Sequence, residues 1–185
     1  VIEAEQLLLW RLRPSSVTVE GKWQFRPLTG KLREVVIRAD PRFRLLPTGN
    51  GSNIQKQWLE EGEVNLHHFV LERPTTGEAS LTASFLLVGT TGIGNLIPPR
   101  LEPAADRTTR DWQAAWTAPG LQWNGKPGTL PAAEFLQQWG DASLSPVQAY
   151  RSTTEAPRPT LAVSAVQNRL QATEQIEWSL TPDLT

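Results

Sequence analysis

Alternation of apolar and polar residues is the clearest pattern in the chain. From Val17 to Phe25 the odd-numbered positions are apolar except for Gly21, and the even-numbered positions are polar. Side chains on a β-strand point alternately to its two faces, so this pattern predicts strands with one buried and one solvated face. We interpret Gly21, which interrupts the apolar face, as the site of a β-bulge. A similar alternation recurs over 34–40 and 80–87.

Short turn signals separate these predicted strands. They are Thr29-Gly30, Asp40-Pro41, Gly49-Asn50-Gly51, Glu61-Gly62, Thr76-Gly77 and Asn124-Gly125. The pair at 61–62 lies between two strand-like segments, 54–59 and 64–71, which predicts a β-hairpin. Short strands joined at this spacing predict an all-β fold, an antiparallel β-sandwich of immunoglobulin-like or jelly-roll-like type.

One segment, 131–139, has helical rather than strand character. Pro131 stands near its start and Gly140 just past its end, which is the usual order of these residues at helix termini. Phe135, Leu136 and Trp139 then share one face through the i, i+3 and i+4 spacing. We therefore predict a short α-helix over 131–139 that packs on the sheet through Trp139.

The composition changes beyond this helix and divides the chain. We assign 1–140 to a β-sandwich domain and, because Ser, Thr and Pro dominate 141–159, we assign that segment to an extended linker. Strand patterning resumes over 160–185, and residues 170–178 have the apolar rhythm of 17–25. Two interpretations stay open: 160–185 is a strand pair that completes this sandwich, or it begins the next copy of a tandem repeat.

Composition and charge exclude several classes of protein. The 185 residues include 18 basic and 19 acidic side chains, without the basic excess of nucleic-acid binders, so we expect no nucleic-acid partner. The absence of cysteine excludes disulfides, thiolate nucleophiles and Cys-ligated metal centres. No apolar run is long enough for a membrane span. Because the chain does not begin with Met, we expect it to be a piece of a longer protein.

Three motifs that follow the opening hairpin carry a resemblance. ADPRFRLL (39–46), RPTTGEASLTASF (73–85) and LIPPRLEP (96–103) resemble segments of the tandem β-sandwich modules of large exported bacterial surface proteins. The resemblance concerns architecture, and no residue role follows from it. It implies an extracytoplasmic location, meaning the periplasm, the cell envelope or the secreted fraction.

The histidines and carboxylates do not form a catalytic pattern. His67 and His68 are adjacent, so on a strand they point to opposite faces and do not ligate one metal ion together. Glu60, Glu61 and Glu63 lie at the predicted hairpin turn, where acidic side chains are usually solvated. The Gly-x-Ser-x-Gly motif of serine hydrolases is absent. We therefore predict a protein that is not an enzyme and that needs no cofactor or metal.

Tryptophan, present eight times, is the strongest candidate for ligand binding. Exposed indole faces stack on sugar rings, and a carbohydrate-binding platform would use Trp58, Trp112, Trp116 and Trp123. Of these we expect Trp58 and Trp112 to be the most exposed. The competing interpretation is that most tryptophans belong to the core, as the patterns indicate for Trp10, Trp23, Trp139 and Trp178.

These patterns together predict a non-catalytic structural or interaction module of a larger exported or cell-surface protein. Its partners would be neighbouring modules of the same chain or other surface proteins. The alternative is a carbohydrate-binding module, with glycans as ligands and the four tryptophans as the site.

Overall fold

The computed structural model describes residues 1–47, 53–126, 128–144, 147–152 and 158–166. Strands predominate in this part of the chain, and the helix that it contains is short. The elements in chain order are β1 (Ile2–Arg13), β2 (Ser16–Pro27), β3 (Leu32–Ala39), β4 (Phe43–Leu45), β5 (Ile54–Glu60), β6 (Asn65–Thr75), β7 (Ala79–Leu87), β8 (Gly94–Leu96), β9 (Leu101–Pro103), β10 (Arg107–Thr117), β11 (Leu121–Trp123), α1 (Ala132–Trp139), β12 (Val147–Arg151) and β13 (Leu161–Ala165).

The largest sheet has six strands in the order β12-β10-β1-β2-β7-β4. β1 and β2 form a long antiparallel hairpin in which Arg13 pairs with Ser16 across the turn. On its other side β1 pairs with β10 in parallel, from Glu3 and Arg107 to Leu12 and Thr117. Parallel neighbours need a long connection, and here residues 14–106 supply it. With β2 on one side and β10 on the other, β1 is an inner strand of the sheet.

Two smaller sheets, of order β5-β6-β3-β9 and β11-β13-β8, complete the sandwich. Their inward side chains join those of the large sheet in one buried cluster, which includes Trp10, Ile37, Phe69 and Leu161. Burying a side chain of this size contributes roughly 1.5–3 kcal/mol. The all-β, sandwich-like fold of packed antiparallel sheets expected from the alternation is confirmed, as is the β5–β6 hairpin.

Gly21 is not a bulge, contrary to the prediction. It pairs regularly with Leu8 of β1 and with Ala83 of β7. A Cβ atom at this position would lie 1.9 Å from Cη2 of Trp23, so the missing side chain makes room for the indole on the same face of the strand. The interruption in the apolar row therefore reflects packing under Trp23 and not a local change of register.

Helix α1 covers the opposite face of the six-stranded sheet, at β1, β10 and β12. Pro131 precedes it and Gly140 ends it in the left-handed conformation, with φ of 84° and its N–H donating to the carbonyl of Leu136. Phe135 and Trp139 are buried against a second cluster that contains Leu9 and Ala114. The predicted helix and its packing through Trp139 are confirmed.

The segment predicted as a linker contains a strand. Within 141–159, Val147–Arg151 forms β12 and pairs antiparallel with β10, from Trp112 and Arg151 to Trp116 and Val147. The linker prediction is therefore wrong at these residues. The five residues of the strand are flanked by Ser, Thr and Pro, and the composition of the whole stretch gave no indication of a strand. Further on, β13 lies between β8 and β11. The stretch 170–178, which carries the repeat hypothesis, lies outside the described residues.

Candidate functional site

The four tryptophans proposed as a platform lie in three different sheets. Trp112 and Trp116 belong to β10 of the six-stranded sheet, Trp58 to β5 of the four-stranded sheet and Trp123 to β11 of the three-stranded sheet. Trp112 and Trp116 share a face because an even spacing keeps side chains on one side of a strand. Of the four proposed tryptophans, Trp112 and Trp116 are therefore the two that share a sheet and a face.

Trp112 is half-buried beside the helix-covered cluster, so it is less exposed than predicted. The guanidinium carbons of Arg110 and Arg151 lie 5.0 Å and 5.8 Å from the centroid of its ring. Cations at such distances are attracted to the indole face. The ring of Trp112 thus interacts with positive charges of its own chain.

Polar neighbours hold these two arginines in place. Arg110 lies 3.1 Å from a carboxylate oxygen of Glu5 on β1 and donates to the side-chain oxygen of Gln138 on α1 at 3.2 Å. Arg151 donates to the carboxylate of Glu134 at 3.3 Å. Because Gln138 and Glu134 belong to α1, whereas the two arginines belong to β10 and β12, these contacts tie the helix to the sheet.

The remaining aromatic rings of this face follow the same pattern. The guanidinium carbon of Arg13 lies 5.8 Å from the centroid of the half-buried Trp116. Lys22 Nζ lies 4.3 Å from the Trp139 ring and donates to the Trp139 carbonyl oxygen at 2.7 Å. A positive charge at a helix C-terminus is favourable because the helix dipole is negative there. This face is therefore built from paired cations and aromatic rings.

Trp123 is packed into the sandwich from the three-stranded sheet. It is half-buried against the main core. Its Nε1 is buried without a hydrogen-bond partner among the described residues. An indole in this position contributes to packing more than to an open stacking face.

Trp58, on the edge strand β5, differs from the other three in being exposed. Its side chain is 40% exposed, as predicted. One face stacks on His68 of β6, with centroids 4.6 Å apart and planes at 9°. Lys56 Nζ lies 5.3 Å from the same ring.

The two histidines point to opposite faces of β6, as predicted. His68 pairs through Nδ1 with Glu34 of β3, and its Nε2 lies 3.5 Å from Glu60 Oε2. His67 is buried on the core side and meets Phe85 edge-on at 5.0 Å. Burial lowers the pKa of His67, with a further contribution from the positive charge of Arg44. The imidazole of His67 is therefore neutral at physiological pH.

An apolar groove of about 330 Å³ opens beside these residues. It lies between β4 and β5, which are edge strands of the two larger sheets. Nε2 of the buried His67 has no hydrogen-bond partner among the described residues. The lining residues are Phe43, Arg44, Leu45, Gln57, Trp58, Leu59 and His67.

A chain of hydrogen bonds links polar side chains inside the sandwich. Trp23 Nε1 donates to Gln6 Oε1 at 2.7 Å, and Gln6 Nε2 donates to Asp111 Oδ1 at 2.9 Å. Asp111 also accepts from Gln113 at 3.4 Å, and Gln113 Oε1 accepts from Trp10 Nε1 at 3.2 Å. This chain, buried at Gln6 and half-buried at Asp111 and Gln113, joins β1, β2 and β10. The sequence signal was Gln6, a polar residue in the inward row of β1.

Asp111 forms the wall of a small cleft of about 60 Å³. Burial raises the pKa of its carboxyl group, while hydrogen bonds from Gln6 and Gln113 oppose that shift. Arg100, Glu102 and Arg158 also line the cleft. A volume this small admits water or an ion of similar size, so Asp111 acts mainly within the hydrogen-bond chain.

Fold and site together define a β-sandwich protein in which the aromatic and polar groups are mostly engaged with one another. Comparison with protein-family models found no match, and comparison with curated proteins found none either. Among the described residues, no group of three His, Asp or Glu side chains is arranged to hold a metal ion. In the same residues, no helix has the length and apolar character needed to cross a membrane.

Proposed function

We propose that this chain is a non-catalytic structural or interaction module of a larger exported or cell-surface protein. It would act through contacts with neighbouring modules of the same chain or with other surface proteins. Its location would be extracytoplasmic, in the periplasm, the cell envelope or the secreted fraction.

The observation that carries this proposal is the chain of hydrogen bonds from Trp23 through Gln6, Asp111 and Gln113 to Trp10, which is anchored at both ends by buried indoles. A catalytic carboxyl group needs access to a substrate. Oδ1 of Asp111 instead accepts from two amides, which are bonded in turn to two buried indoles, and the cleft at this carboxylate is only about 60 Å³ in volume. These groups stabilise the fold, as expected of a module whose task is mechanical or adhesive.

The similarity of rhythm between 17–25 and 170–178 also supports the proposal. A second copy of the opening strand at 170–178 would make this unit one member of a tandem array. The resemblance to tandem surface modules at 39–46, 73–85 and 96–103 points to the same class.

Cysteine labelling tests the proposed location. The chain has no cysteine, so Thr29→Cys in the exposed β2–β3 turn gives this module a single reactive thiol, and Ala115→Cys, fully buried, is the matched control. In cells that produce the full-length protein, a membrane-impermeant maleimide should label Thr29→Cys without lysis and leave Ala115→Cys unlabelled. Labelling of Thr29→Cys after lysis alone would contradict export.

A carbohydrate-binding module is the second candidate, and the exposure of Trp58 favours it. Under this alternative, some polysaccharide in a panel should change the tryptophan fluorescence saturably, and Trp58→Ala should abolish the change. Trp123→Phe is the control, since Trp123 is packed against the core. The absence of a response to every glycan would remove this candidate.

A further inference from the structure

The exposed edge of β5 is a self-complementary surface. We propose that it pairs with β5 of a second copy of this chain, antiparallel and centred on Trp58, to form a two-fold symmetric dimer. The inference rests on the proposed role as an interaction module and names the partner as another copy of the same module.

The position of β5 makes one long side of its backbone available. β5 is the outer strand of the order β5-β6-β3-β9, and among the described residues it pairs with β6 alone. Six of its seven residues are exposed. Trp58 and Leu59 are 40% and 39% exposed, on opposite faces of the strand. Unpaired strand edges of this kind are templates for another strand.

The charges on β5 make its edge complementary to the same edge of a second copy. Lys56, Trp58 and Glu60 lie on one face of β5, since they are two residues apart. In an antiparallel pair centred on Trp58, residue 56 of each copy stands opposite residue 60 of the other. The two indoles then meet at the centre, with a Lys56–Glu60 pair on each side. Opposite charges directly across a strand pair are favourable, and like charges are unfavourable.

The other face of β5 fits the same arrangement. Gln57 of one copy stands opposite Leu59 of the other, and both residues line the groove between β4 and β5. The groove, of about 330 Å³, has room for a leucine side chain, which would cover the half-buried Leu45. Both faces of the strand therefore contribute to one register. The irregular pairing of β5 between Ile54 and Lys56 lies at the border of this region.

Lysine on an edge strand is also a common device against pairing. A lysine alone would repel a second copy of the same edge. In β5, however, Glu60 follows Lys56 at the spacing that neutralises it across a two-fold axis through Trp58. The two interpretations predict opposite effects of reversing one charge.

Charge reversal in the 185-residue chain tests the proposal, with sedimentation velocity as the measurement. The native chain should dimerise with a dissociation constant on the order of 10–100 µM, as expected for a small interface. Lys56→Glu and Glu60→Lys should each weaken self-association about tenfold or more, because each places like charges opposite one another. An equimolar mixture of the two variants should regain the affinity of the native chain, since unlike charges then face each other.

Lys31→Glu and Glu78→Lys, in the exposed β2–β3 and β6–β7 turns, are the matched controls. They change the net charge in the same way and should associate like the native chain, separately and mixed. A chain that stays monomeric throughout the concentration range would overturn the proposal, as would a mixture of Lys56→Glu and Glu60→Lys that regains nothing. Either result leaves the labelling test of export unaffected, so the two proposals fail separately.

Discussion

Trp112 and Trp58 are found in similar sequence contexts but in different surroundings. Both lie on β-strands among polar and charged neighbours. Trp112 is on β10, which has β1 on one side and β12 on the other, and it receives the side chains of Arg110 and Arg151. Trp58 is on β5, which pairs with β6 alone among the described residues and leaves the indole 40% exposed.

For these two tryptophans, the position of the strand in its sheet accounts for the surroundings of the ring. On the inner strand β10, neighbouring strands on both sides supply cations and apolar groups, and the ring of Trp112 becomes part of the structure. On the edge strand β5, one neighbouring strand is missing, and the ring of Trp58 is left available for a partner. The helix-covered face of the six-stranded sheet is accordingly structural, and the β5 edge is the interaction surface that we propose.

The largest expected effect is a difference in stability between a substitution in the helix-covered face of the six-stranded sheet and a substitution at the β5 edge. Trp139→Ala removes a buried ring that stacks on Phe135 and contacts Lys22, and it should lower the free energy of unfolding by about 3–5 kcal/mol. Trp58→Ala at the β5 edge should lower it by about 1 kcal/mol or less. Urea unfolding followed by far-ultraviolet circular dichroism, at dilute protein concentration, measures both. Equal losses of unfolding free energy in the two variants would contradict the difference between the helix-covered face and the β5 edge.

A matched glycine pair sharpens the same comparison. A methyl group at Gly21 would collide with the Trp23 ring in the core, and Gly21→Ala should be destabilising by about 1–3 kcal/mol. At Gly62, in the β5–β6 turn, the nearest atom to an added Cβ is 3.4 Å away. Gly62→Ala should therefore change the free energy of unfolding by about 0.5 kcal/mol at most. A Gly21→Ala variant with the same free energy of unfolding as the native chain would contradict tight packing between Gly21 and the Trp23 ring.

The smallest of the stability effects is a pH dependence. The pKa of Asp111 is raised by burial, so the native state binds the proton more tightly than the unfolded chain does. The contribution of this group to the stability of the native state is therefore full below its pKa in the unfolded chain. It is lost as the pH rises through its pKa in the folded state. Asp111→Asn keeps the acceptor for Gln6 and carries no charge, so it should be slightly more stable than the native chain at neutral pH.

The control for Asp111→Asn is Asp141→Asn, which should act in the opposite direction. Hydrogen bonds from Ser143 lower the pKa of the Asp141 carboxyl group, so its contribution is present above the unfolded pKa and is lost as pH falls through the folded value. Asp141→Asn should therefore be slightly less stable than the native chain at neutral pH. Thermal unfolding from acid to neutral pH measures both variants. A loss of stability in Asp111→Asn would show that the charged carboxylate is favourable in the buried chain.

Local pattern was enough to predict much of this fold. The alternation at 17–25, the hairpin around Glu61-Gly62 and the helix ending at Gly140 are confirmed because each depends on neighbouring residues. The parallel pairing of β1 with β10 was not predicted, since a hundred residues separate the strands and no local pattern encodes their contact. β12 was missed because its five residues lie among Ser, Thr and Pro.

The candidate site was harder to predict for the same reason. The polar neighbours of Trp58 and Trp112 predict exposure for both, but Trp112 is half-buried, in part beside Arg151, which β12 brings near. The hydrogen bond between Gln6 and Asp111 joins positions that are distant in sequence. Gln6 in the inward row of β1 was a visible signal, although its partner was not.

Hydrogen–deuterium exchange at different protein concentrations tests most directly the claim that the β5 edge is the interaction surface. Peptides covering 54–60 should exchange more slowly as the concentration rises through the dissociation constant, because pairing protects the outward amides of β5. Peptides covering 147–151, on the edge strand β12 of the six-stranded sheet, should exchange at the same rate throughout. Exchange in 54–60 that is independent of concentration, or protection that appears at 147–151 instead, would contradict the account.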